Sequence, residues 1–127
     1  MLEQGEQFPH AQITTVEGRV FSYSSIWQRK NLVLVVLPPG ESGDESEYAA
    51  RLAGAAHEFS DLNSECIVTR EPGGGLKPPA FLVVDKWGEI LHVATAPAVE
   101  HMPSPRALLD WVEYVEHKCP ECEGETK

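Results

Sequence analysis

Six apolar residues in succession, Leu32-Val33-Leu34-Val35-Val36-Leu37, are closed off by Pro38-Pro39. The run is too short for a helix and rich in β-branched valine, so it predicts a strand buried on both faces, the central strand of a sheet. Before it, Gln12 to Val16 and Arg19 to Tyr23 are β-prone runs separated by Glu17-Gly18, a hairpin signal. Phe8-Pro9 and Ile26-Trp27 read as anchors packing that hairpin, and a short helical turn over Ser24 to Gln28 is compatible with the pattern. After it, Tyr48, Leu52, Ala55, Ala56, Phe59 and Leu62 follow helical spacing, which predicts a helix from about Glu45 to about Leu62. Asp44 with Glu47 has capping-box form, and Ala49, Ala50, Ala53 and Gly54 would let the helix sit close to a sheet. Cys66 to Arg70 predicts a second strand, completing a right-handed parallel unit. Glu71 to Pro79, with Gly73-Gly74-Gly75 and Pro78-Pro79, can be neither helix nor central strand and reads as a connection. Ala80 to Asp85, the turn Lys86-Trp87-Gly88, and Glu89 to Ala94 predict a second hairpin. Ser104 as N-cap and Pro105 at the first helical position open a last helix ending near Lys118, with Leu108, Trp111, Val112 and Val115 on one face. The fold class is therefore α/β, an N-terminal hairpin followed by β-α-β-loop-β-β-α around a central mixed sheet. The expected domain covers residues 1–118, with 119–127 as a tail.

Composition narrows the partners more than the fold. The 127 residues carry 20 acidic and 10 basic side chains, a formal charge of −10 that repels phosphate backbones and anionic membrane surfaces. Nucleic-acid and membrane binding are not expected. Residues 1–6 have no basic or apolar core of a signal peptide, and no run approaches a membrane span, so the expected location is the cytoplasm. Three cysteines in a reducing compartment argue against a disulfide framework.

Three stretches together resemble a known family: Phe8-Pro9 with Glu17-Gly18-Arg19-Val20-Phe21-Ser22, the strand from Asn31 to Pro38, and above all Pro79-Ala80-Phe81-Leu82-Val83-Val84-Asp85-Lys86-Trp87-Gly88-Glu89-Ile90. With the order of elements, they resemble the thioredoxin-like superfamily, and within it the redoxins of peroxiredoxin type (alkyl hydroperoxide reductase and thiol-specific antioxidant). The resemblance covers most of the chain and implies thiol or peroxide chemistry. It also implies a cis peptide bond at Pro79, which would border a groove at the end of the central strand also lined by Ser42, Asp44, Ser46, Gly74 and Pro78.

Two departures bear on activity. In the family a cysteine opens the first long helix, whose dipole favours its thiolate. Here Gly40 to Glu47 contains no cysteine, lysine or histidine. A serine without an adjacent base cannot reduce a peroxide, and acidic neighbours oppose a developing anion, so peroxidase chemistry is not expected there. In place of a helix before Pro79 stands the Gly73-Gly74-Gly75 loop, expected to cross the end of the central strand and partly cover the crevice.

The remaining redox motif is Cys119-Pro120-Glu121-Cys122. It follows a helix instead of starting one, among Glu113, Glu116, Glu121 and Glu123, and both effects raise thiol pKa. The residues leave three states open: a reduced pair, a disulfide-exchanging pair, or a zinc site with His117 and a fourth ligand from His101, water or a second copy. No cofactor is implied. Cys66 reads as a small buried hydrophobe. The acidic run Glu41 to Glu47 reads as a solvated, capped helix start without calcium-loop spacing, and Trp27, Trp87 and Trp111 read as packing residues. The five histidines form no nucleophile pair. Two functions follow: a redoxin-type protein exchanging disulfides through Cys119 and Cys122, or a non-catalytic module holding a protein or peptide at the Pro79 groove. Oligomeric state is not legible.

Overall fold

The computed structural model describes residues 4–10, 12–38, 43–70 and 77–117, with Asp44 and His117 described by backbone alone. Strands β1 (Gln12–Thr14) and β2 (Val20–Ser22) form the first hairpin. A turn of 3-10 helix, Tyr23–Ser25, leads to β3 (Asn31–Val36). Helices α1 (Gly43–Gly54) and α2 (Ala56–Asp61) precede β4 (Ser64–Thr69). Strands β5 (Ala80–Val84) and β6 (Ile90–Thr95) make the second hairpin, and α3 (Pro105–His117) follows a 3-10 turn at Val99–His101.

The main sheet runs β4-β3-β5-β6, with β3 parallel to β4 and antiparallel to β5. Every residue of β3 is buried, because both faces of the sheet are covered. Val33 and Val35 face the layer of α1, α2 and α3 with Leu52, Phe59, Leu108 and Val112. Leu32, Leu34 and Val36 face the opposite layer with Phe8, Ile13, Tyr23 and Ile26. The N-terminal hairpin and the 3-10 turn thus do on one face what helices do on the other. Both sheet edges are partly closed by backbone bonds. Val16 N donates to Val68 O at 2.9 Å beside β4, and Ile90 N donates to Glu6 O at 2.9 Å beside β6.

The expected single helix from Glu45 to Leu62 is two helices. The chain turns at Ala55, whose N–H bonds to Leu52 O at 3.0 Å in a tighter, three-residue closure. Gly54, a poor helix former, allows the break. Leu52, Ala55 and Phe59 stay buried across it, while Ala56, assigned to the apolar face, is exposed. Helix α1 begins at Gly43, so Asp44 lies inside its first turn and is not the cap. The cap expected for α3 is present: Ser104 Oγ accepts from Ala107 N at 3.2 Å.

Candidate functional site

The crevice lies where β3 ends. Val36 pairs with Thr69 on one side and Ala80 on the other, so one residue further on Arg70 and Pro79 flank Leu37. The Pro78–Pro79 peptide bond is cis, as the resemblance implies. Pro79 is buried, and its carbonyl accepts from Ala96 N at 2.9 Å.

Into this end of the sheet α1 presents Glu45, at 7% exposure among the least solvated acidic groups. Arg70 Nη1 donates to Glu45 Oε1 at 2.9 Å and to Pro38 O at 3.1 Å. The guanidinium therefore ties the ends of β3 and β4 to the first turn of α1, where the helix dipole also favours the carboxylate. The acidic helix start is not uniformly solvated as expected from sequence. Helical spacing turns Ser46 and Glu47 to solvent, and Glu45 inward. Beside it, Tyr48 Oη donates to Pro103 O at 2.6 Å, and burial drives the phenol's pKa upward, with lesser effects of Cys66 and Arg51.

Of the site residues expected from sequence, the structure brings Pro78 and Pro79 to the end of β3 and leaves Ser46 exposed on α1. Ser42, Gly74, Cys119 and Cys122 lie outside the described residues, as does the side chain of Asp44. The groove expected between Pro79, the serines and the glycine loop is therefore described only on its Pro79 side. Cys66 is on β4, packed against the core under α1, and burial followed by the Glu65 carboxylate pushes its thiol up to about 12. The residue as a whole stays partly accessible at the surface. Trp111 packs as expected, stacked on His92 at 4.5 Å, whereas Trp27 and Trp87 are 36% and 49% exposed. Among the described residues no group of three or more His, Cys, Asp or Glu side chains is placed to hold a metal ion, and no helix is long and apolar enough to cross a membrane.

No protein-family model matches the sequence, and no curated protein matches it. Solved structures do. A reduced 2-Cys peroxiredoxin from Plasmodium vivax superposes with a TM-score of 0.72 at 12% identity, over 90% of this chain and 82% of that one. Mycobacterium tuberculosis AhpC gives 0.64 at 14% identity over 96% and 98% of the two chains. A thiol:disulfide interchange protein of the thioredoxin family from Chlorobium tepidum gives 0.65 at 12% identity over 91% and 99%. The chain has the thioredoxin-like fold of the peroxiredoxins. At such identities the likeness is one of fold.

Within this peroxiredoxin-like fold, sequence reasoning missed Glu45 and Arg70. A basic residue ending an otherwise apolar strand, with an acidic residue in the first turn of the preceding helix, was the available signal. Only the parallel β-α-β crossover shows that they meet. The last helix is placed as clearly. Asn31 Nδ2 donates to Glu116 Oε2 at 3.0 Å, so α3 ends beside the beginning of β3, about 20 Å along the strand from the crevice.

Proposed function

We propose that the chain is a redoxin-type protein whose thiol–disulfide exchange belongs to Cys119 and Cys122, and not to the crevice at the end of β3. The Glu45–Arg70 pair carries this reading. The guanidinium that could favour a thiolate at this helix start holds the protein's own carboxylate at 2.9 Å. A fixed negative charge there opposes a second one, and Cys66, with its thiol near 12, is no substitute. In the exchange, one tail thiolate attacks a sulfur of a partner disulfide, releasing the partner's first thiolate and forming a mixed disulfide. The second tail thiolate then displaces the partner's remaining sulfur, leaving Cys119–Cys122 oxidised and the partner reduced by two electrons.

The test is reduction of oxidised glutathione by the pre-reduced chain, followed by mass spectrometry of its cysteines. The reading expects a loss of two hydrogen atoms, two protons with two electrons, from the Cys119–Cys122 peptide, abolished in Cys122→Ser, with Cys66 unmodified. Turnover of hydrogen peroxide at a peroxiredoxin's rate would overturn it. A second reading is favoured by Pro79 and Arg70 flanking Leu37: the crevice holds an extended segment of a partner and the chain does no redox chemistry. Under that reading Cys119 and Cys122 stay unchanged under mild oxidant, and Cys122→Ser has no effect on partner binding.

A further inference from the structure

Away from the crevice, an open groove of about 770 Å³ runs between α3 and the beginning of β6. Its floor is Leu91, and one wall is the edge-to-face pair Trp111 and Tyr114, with ring centres 6.3 Å apart. Glu89 and Asp110 line it as well, and among the described residues no lysine or arginine does. An irregularity in the β5–β6 pairing creates this shape. Val84 pairs with Ile90 but Val83 with His92, so Leu91 is the extra residue, and both Leu91 and His92 lie on the α3 side. His92 stacks on Trp111 and fixes its ring plane, while Tyr114 stays 56% exposed.

We propose that this groove docks an extended, lysine- or arginine-bearing segment of a partner protein. Aromatic faces attract a cation, and neighbouring carboxylates supply hydrogen-bond acceptors and charge. The local balance is negative even after internal pairing: Arg106 is shared between Asp110 at 2.7 Å and Glu113 at 3.8 Å, and Glu89 adds to them. The chain's formal charge of −10 reinforces the attraction over longer range. An acidic segment, including a second copy of this chain's glutamate-rich tail, would meet like charge. The groove exceeds the size of one side chain, which favours a peptide over a small amine. Its position favours an extended one. Residues beside it already receive chain in this way, with Gly5 N donating to Ile90 O at 2.7 Å and a bridge between Gln7 and Glu89. An incoming strand would continue along the edge of β6 and place a basic side chain between Tyr114 and Asp110.

The probe is a fluorescein-labelled peptide alternating lysine with valine, titrated with the full chain and followed by anisotropy, with its glutamate-for-lysine counterpart as control. The expected result is saturable binding of the basic peptide alone, weakened at least threefold by Asp110→Asn, Glu89→Gln or Tyr114→Ala. In the Asp110→Asn, Glu89→Gln double variant the loss should reach tenfold or more. Glu58→Gln removes an exposed charge from α2 and is expected to change binding by less than a factor of two. Circular dichroism confirms folding of each variant, since the substituted side chains are exposed. Equal losses in Glu58→Gln and the groove variants would mean that net charge alone does the work and would overturn the proposal. So would absence of saturable binding, or equal binding of the acidic peptide. Cys119→Ser, Cys122→Ser is expected to bind as the parent does, which separates this groove from the tail thiols.

Discussion

At Glu45, two sources of positive potential converge: the positive end of the α1 dipole and the Arg70 guanidinium. Glu45→Cys, made in a Cys66→Ala, Cys119→Ser, Cys122→Ser background, is expected to give a thiol that titrates below the ~8.5 of free cysteine. Alkylation rates across pH check this; half-maximal reactivity above that value would show that the Arg70 side does not favour an anion. Glu45→Gln removes one partner of a nearly buried pair and is expected to cost about 2–3 kcal/mol in denaturant unfolding. Cys66 makes the opposite case, because its thiol rises from 9.0 to about 12 on folding. Below pH 9 the folded and unfolded chains both keep that proton; between 9 and 12 only the folded chain does, so its contribution to stability falls as pH rises through this window. Cys66→Ala is expected to flatten the loss of stability across that window and to leave the slope below it unchanged. Urea midpoints measured as a pH series decide the point.

Turns and caps set the elements. Gly88 closes the β5–β6 hairpin at φ +91°, and a Cβ there would stand 2.7 Å from Gln7 Oε1 and 3.2 Å from Trp27 Nε1. The two side chains can shift, but the backbone cannot change sign without opening the turn that Asp85 braces through Trp87 N and Glu89 N, each at 2.9 Å. Gly88→Ala is therefore expected to lose about 1–2 kcal/mol of thermal stability, mostly from the left-handed backbone. Ser104→Ala should cost about 1 kcal/mol through the lost cap on α3. These features were legible because turn glycines and N-cap serines act within a few residues of themselves. The break at Ala55 was not, since the periodicity of Leu52, Ala55 and Phe59 continues through it and only packing on β3 and β4 rewards the tighter turn.

For the molecule as a whole, one sheet is clamped between a helical layer and the N-terminal hairpin, and its two ends do different things. Arg70, Glu45 and Pro79 gather where β3 finishes. Asn31, Glu116 and Ser64 gather where it starts, with Asn31 Nδ2 3.3 Å from Ser64 Oγ and the residue only 2% exposed. Asn31→Ala is expected to lower stability by about 1–3 kcal/mol by leaving these partners incompletely bonded, as measured by calorimetry. A charge of −10 on a fold this size repels itself, so raising salt from roughly 0.02 to 0.5 M should raise the melting temperature, the Debye length shrinking from about 20 to 4 Å. A fall in melting temperature would mean that attractive surface pairs such as Lys30–Glu65 outweigh the repulsion.

By itself the sequence determined the order of elements, the buried central strand, both hairpins, the cap of α3 and the absence of a cysteine at the first helix start. Each depends on neighbours within one element, where periodicity, turn chemistry and propensity act directly. Tertiary structure alone decided that Arg70 answers Glu45, that an extra residue at Leu91 opens a groove against α3, and that Cys66 packs against the core under α1. Those outcomes depend on residues 25 or 20 positions apart meeting across a crossover or a helix–sheet contact. No local pattern encodes that meeting, because it is the sheet's register and the packing of its two layers that select it.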